Sequence, residues 1–110
     1  MIKRDLEAQN NNRFGKGRAI ILIGPHQVGK TTLFNKLLED KEHLFLNGDD
    51  PTLRKLLTYP NIEQLKNIIG NNKIVFIDEA QRIENIGITL KLITDQLKSV
   101  QLLVSGSSAF

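Results

Sequence analysis

The sequence predicts an α/β domain built on a parallel sheet, and three observations predict it. Short runs of β-forming residues, Ala19 to Ile23, His43 to Asn47, Lys73 to Ile77 and Gln101 to Ser105, alternate with segments whose leucines and isoleucines recur at helical spacing. The first run passes directly into a loop bounded by Gly24 and Gly29 and followed by Lys30 and Thr31. The third ends on two adjacent carboxylates, Asp78 and Glu79, at the strand end where open parallel sheets carry their ligands. A chain of 110 residues suffices for one small domain that buries roughly two-thirds of its unfolded surface, and is too short for two.

In chain order, residues 1–17 read as a polar leader and residues 18–110 as the folded core. The leader carries Asn10-Asn11-Asn12 and Gly15-Lys16-Gly17 around a lone Phe14, the composition of a frayed helix followed by a loop. Its basic residues are either a solvated face or a contact for a partner.

The stretch Gly24-Pro25-His26-Gln27-Val28-Gly29-Lys30-Thr31-Thr32 has the phosphate-binding loop pattern G-x-x-x-x-G-K-T. Gly24 and Gly29 allow backbone conformations closed to residues with a Cβ, so successive N–H groups can line an anion-sized hollow. The helix expected to start near Gly29 directs its unpaired N–H groups and the positive end of its dipole at the same anion. Lys30 adds a mobile positive charge for the β and γ phosphates, and the Thr31 hydroxyl is a ligand for Mg²⁺. The flanks agree: β-formers precede the loop, and Leu33, Phe34, Leu37 and Leu38 follow at helical spacing. Phe14 either packs or stacks on the base of a bound nucleotide.

Beyond that helix, His43 to Asn47 reads as a short buried second strand bounded by the turn formers Gly48-Asp49-Asp50. Asp50 suits the N-cap and Pro51 the first position of a helix with Leu53, Leu56 and Leu57 on one face, ended by Tyr59-Pro60. Asp49 and Asp50 are either cap residues or metal ligands. Asn61 with Gln64 three residues on caps the next helix, whose apolar positions are Leu65, Ile68 and Ile69 and whose stop is Gly70.

After Lys73, Ile74 to Ile77 is the continuous apolar run of a strand buried on both faces, and Asp78 and Glu79 mark where it emerges. Strand alternation sends adjacent side chains in opposite directions, so the two acids have different roles. Asp78, 48 residues beyond Lys30, suits holding Mg²⁺ through water beside Thr31. Glu79 suits orienting and deprotonating a water aimed at the γ phosphate. Ile86, Leu90, Ile93 and Leu97 then outline a helix, and Gln101 to Ser105 a fourth strand. In the cluster Ser105-Gly106-Ser107-Ser108, a serine hydroxyl either bonds the γ phosphate or attacking water or belongs to a plain turn.

Fifteen Lys plus Arg against twelve Asp plus Glu give a net charge of +3, too mild a bias to argue for nucleic acid by itself. The absence of cysteine excludes disulfides and thiolate metal sites. No apolar run approaches 18 residues, and Lys3, Arg4, Asp5 and Glu7 interrupt any signal-peptide pattern. The expectation is a soluble, cytoplasmic protein with no membrane partner.

Taken together, the apolar strand before Gly-Pro-His-Gln-Val-Gly-Lys-Thr-Thr-Leu, then Asn-Gly-Asp-Asp-Pro, Ile-Val-Phe-Ile-Asp-Glu-Ala-Gln-Arg-Ile and Leu-Leu-Val-Ser-Gly-Ser-Ser, resemble the N-terminal part of an AAA+-type P-loop ATPase. The likeness is to the prokaryotic group in which such a domain precedes a C-terminal domain of poorly known role, and it runs from about residue 18 to residue 110. It implies ATP and Mg²⁺ as ligands, Gly24 to Thr31 as the Walker A loop, Ile74 to Glu79 as the Walker B strand, and Ser105 or Ser107 as the first sensor, where the family often has Asn. It also implies a P-loop NTPase three-layer α/β/α fold with sheet order 1-4-3-2. The family's fifth strand, helical lid, second sensor and arginine finger are missing from this chain, which reads as a fragment ending after the first sensor. The finger usually comes from a neighbouring subunit, so a homo-oligomer is implied, and Arg82 stands too near Glu79 to serve as one.

The leading function is therefore ATP binding and Mg²⁺-dependent hydrolysis by a molecular switch or motor, with Glu79, Lys30 and Ser105 as catalytic candidates and Thr31 and Asp78 as metal ligands. One alternative is a nucleotide-binding module without hydrolysis of its own. Another is a helicase-like ATPase, suggested by Asp78-Glu79-Ala80-Gln81, although the Ser-Ala-Thr motif of helicases is absent. GTPases are disfavoured, because no Asn-Lys-x-Asp is present to read guanine.

Overall fold

The computed structural model describes residues 19–23, 34–36 and 38–107. Four strands, β1 (Ala19–Ile23), β2 (Leu44–Asn47), β3 (Ile74–Asp78) and β4 (Gln101–Gly106), form one sheet in the order β1-β4-β3-β2. Every ladder is parallel. This is the expected order 1-4-3-2, with strand ends shifted by a residue. His43 stays out of β2, exposed, with its Nδ1 3.0 Å from the Lys41 carbonyl, while β3 runs on to Asp78 and β4 to Gly106.

Parallel strands need crossovers, and these supply the other layers. Three helices follow the apolar spacing of the sequence: α1 (Pro51–Thr58), α2 (Ile62–Ile69) and α3 (Ile86–Gln96). Their buried residues Leu57, Leu65, Ile69, Ile86, Leu90 and Ile93 form one core with Leu46, Val75, Ile77, Leu102 and Val104 of the sheet. Side chains alternate across a strand, so Ile20, Phe76 and Leu103 face the opposite way, and there they bury Phe34 and Leu38. Phe34 meets Phe76 edge to face with centroids 5.0 Å apart. Helical residues 34–36 thus cover one face and α1 to α3 the other, giving the three-layer α/β/α arrangement.

The helix signals act locally as expected. Asp50 caps α1 by accepting the Thr52 N–H at 2.9 Å, with Pro51 in the first turn. Asn61 and Gln64 make a reciprocal capping box at the start of α2, both bonds at 2.8 Å. Gly70 ends α2 with a positive φ of 59°, a conformation that glycine adopts without a Cβ penalty. Thr89, buried in α3, donates its hydroxyl to the Leu57 carbonyl at 2.7 Å, which satisfies an open carbonyl near the end of α1. Among the described residues no helix is long and apolar enough to cross a membrane.

Candidate nucleotide site at the carboxyl ends of the strands

Register brings the polar ends of the strands together. Asn47 of β2 pairs with Asp78 of β3, Ile77 with Val104 of β4, and Gly106 with Ile23 of β1. Counting by twos from Phe76 and Leu103 puts Asp78 and Ser105 on the face that Phe34 covers. The chain reaches Phe34 from the glycine-bounded loop, which begins directly after Ile23. The candidate contacts Gly24, Pro25, His26, Gln27, Val28, Gly29, Lys30, Thr31 and Thr32 themselves lie outside the described residues, as do residues 1–17 and Ser108.

Asp78 is half-buried and receives two donors on one oxygen. The Ser105 hydroxyl donates to Oδ1 at 2.5 Å and the Glu79 N–H donates to the same oxygen at 2.9 Å. Ser105 is 1% exposed, and burial fixes its hydroxyl on the carboxylate. Ser105 thus bonds Asp78, whereas Ser107 meets Gln81. Both donors converge on Oδ1, an arrangement that suits a carboxylate holding a hydrated cation with its other oxygen.

Glu79 differs from the expected strand residue. β3 stops at Asp78, and Glu79 takes a left-handed conformation with φ 51° and ψ 43°, opening a 3-10 turn (Ala80–Arg82). The two acids are thus separated by a reversal of the backbone rather than by strand alternation. Such a conformation is costly for a residue with a Cβ, and its neighbours hold it there. Ala80 is fully buried, and Gly48 after β2 donates its N–H to the Asp78 carbonyl at 2.8 Å. Gly48 lies so close that a Cβ on it would overlap the Glu79 carbonyl. The Glu79 carboxylate accepts from Gln81 Nε2 at 2.9 Å.

Asp49 and Asp50 sit apart from these acids in role. Asp50 caps α1, and Asp49 pairs with Arg82, Nε to Oδ1 at 3.0 Å, both about half exposed. Among the described residues no three His, Cys, Asp or Glu cluster as a metal site. Sequence reasoning passed over Gly48 except as a turn former and gave Gln81 no role at the site. The motif Asp78-Glu79-Ala80-Gln81 was the available signal for Gln81, since a side chain two residues beyond a turning acid can reach back to it.

The family comparison agrees with this geometry. Residues 16–110 match the family described as AAA domain. Two curated relatives are an uncharacterized protein of Mycobacterium bovis and an uncharacterized protein of Mycobacterium tuberculosis. Each is 26% identical over 108 residues, which is 97% of this chain and 24% of the relative. The chain therefore spans about a quarter of the length of the curated relatives it matches. No solved structure matches. A family match over that much of the sequence, on a sheet of this order, makes the chain a member of the AAA domain family, a nucleotide-binding module of the ATPase type.

Proposed function

We propose that this chain binds ATP with Mg²⁺ and hydrolyses it, as the ATPase core of an AAA+-type switch or motor. The observation that carries the proposal is the seating of Asp78: a strand-end carboxylate, buttressed by Ser105, on the sheet face covered by the segment that follows the glycine-bounded loop. Thr31 stands three positions before Phe34, so chain length alone keeps it within roughly 11 Å of the residue packed on Phe76. In this reading Lys30 and the loop amides bind the β and γ phosphates, and Thr31 with Asp78 would hold the Mg²⁺. The ion would supply charge neutralisation at the phosphate oxygens. Glu79 orients and deprotonates the attacking water. Ser105 keeps the Asp78 carboxylate in one rotamer.

The test is a thermal-unfolding titration with Mg²⁺-ATP and Mg²⁺-GTP on the wild-type chain and on Lys30→Ala. Nucleotide at 100 times its dissociation constant adds roughly 2.7 kcal/mol of stability. A shift with ATP that Lys30→Ala abolishes supports the binding half of the proposal. No shift from a chain that melts cooperatively overturns it. Loss of hydrolysis with retained binding in Glu79→Gln supports the second half, and parental turnover in that variant overturns it.

A further inference from the structure

Gln81 is a polar residue at this end of the sheet to which the ATPase reading assigns no task. It lies in the 3-10 turn between the fully buried Ala80 and the exposed Arg82, and is itself half-buried. Its Nε2 donates to Glu79 Oε1 at 2.9 Å and to Ser107 Oγ at 3.0 Å, and its Oε1 accepts the Ser107 N–H at 3.3 Å. These bonds fix which way the amide points: reversed, its oxygen would face a carboxylate oxygen and its NH₂ would face a backbone N–H. Ser107 follows Gly106, the last residue of β4, whose register partner is Ile23 at the entrance to the glycine-bounded loop. Gln81 is therefore a bridge between the acid beyond β3 and the chain beyond β4, 26 residues away.

We infer that Gln81 is a positioning residue for Glu79, holding its carboxylate toward the end of β4 so that it meets the attacking water in one orientation. The inference rests on the reading of Glu79 as the group that orients that water. Gln81→Met removes the bond from Nε2 to the Glu79 carboxylate, and a displaced catalytic group costs up to about a hundredfold in rate. Ser107 acts through Gln81 by occupying both ends of its amide.

The test compares ATP hydrolysis, KM and urea unfolding for the parent, Gln81→Ala, Gln81→Met, Ser107→Ala and Glu79→Gln, with Gln81→Ala and Ser107→Ala also combined. The side-chain amide signals of Gln81 are followed by NMR without nucleotide. The expected result is a drop in kcat of about tenfold or more in both Gln81 variants, KM within about twofold of the parent, and a smaller loss in Ser107→Ala. The combined variant is expected to be no slower than Gln81→Ala alone, and the Gln81 amide signals shift in both Glu79→Gln and Ser107→Ala. The inference is overturned if folded Gln81→Met keeps parental kcat, if the losses at Gln81 and Ser107 multiply, or if the amide signals ignore both neighbours. Parental turnover in Glu79→Gln instead overturns the role given to Glu79, whatever Gln81 does. An intact parent without turnover overturns both.

Discussion

Ser105 and Asp78 are joined across neighbouring strands by a 2.5 Å hydrogen bond in which a buried hydroxyl donates to the carboxylate. The bond is one step beyond the Ile77 and Val104 register pair, so β3–β4 pairing itself brings the two side chains together. A serine at this place does not need to touch a ligand to matter. It fixes the oxygen that also receives the Glu79 N–H, and so sets the direction of the carboxylate at the strand end.

Replacing Ser105 by Ala removes the side-chain half of that support. A hydrogen bond to a charged group contributes about 1.5–3 kcal/mol, and the surviving Glu79 N–H retains part of it. Ser105→Ala should lower unfolding stability by about 1–2 kcal/mol in urea. It should also weaken nucleotide binding about tenfold when Mg²⁺ is present and leave it nearly unchanged in EDTA, as read by calorimetry. Equal weakening in both conditions would mean that Ser105 serves the nucleotide and not Asp78.

Gly48 supplies a purely steric prediction. A Cβ there overlaps the Glu79 carbonyl, which is backbone and cannot rotate aside. Gly48→Ala should destabilise the fold by about 2–3 kcal/mol, in the range of overpacking in a well-filled interior. The denaturation midpoint should fall with an unchanged m-value. A midpoint like the parent's would show that the turn after β2 shifts freely.

The capping box of α2 gives a local prediction. Asn61→Ala removes one of two reciprocal bonds and should cost about 1 kcal/mol, whereas Asn61→Ser should cost a few tenths. On a domain of this size, 1 kcal/mol lowers Tm by roughly 4 °C. Equal Tm values for Ala and Ser would show that the box contributes nothing.

That contrast reflects what could be read from the sequence. Asp50, Asn61 and Gly70 were legible because a cap is decided by residues within four positions of each other. The strand order was legible only as an implication of the family resemblance that the loop and acid motifs carry. Three features could not be read. The left-handed turn at Glu79, the approach of Gly48 to it, and the Gln81–Ser107 bridge depend on where distant backbone arrives. Asp49 shows the same limit: its partner Arg82 belongs to a different crossover, so the sequence that marked Asp50 as a cap gave no sign that Asp49 would meet a guanidinium.

Glu79 carries the last prediction, because its backbone and its side chain serve different ends. With φ at 51° and ψ at 43°, a residue bearing a Cβ sits in a region that costs roughly 1–2 kcal/mol, and only glycine enters it freely. Glu79→Ala and Glu79→Gly both delete the carboxylate and its bond to Gln81, so comparing them isolates the backbone. Glu79→Gly should be the more stable of the two by roughly 1 kcal/mol, after allowing for the greater entropy glycine gains on unfolding. Both should lack ATP hydrolysis. Should Glu79→Gly equal or exceed the parent in urea while hydrolysing nothing, the strain at this position is held for the sake of the carboxylate. If Glu79→Ala were the more stable variant, the strain of the left-handed conformation would be smaller than glycine's entropy cost of about 0.5–1 kcal/mol, and the turn would need no functional reason.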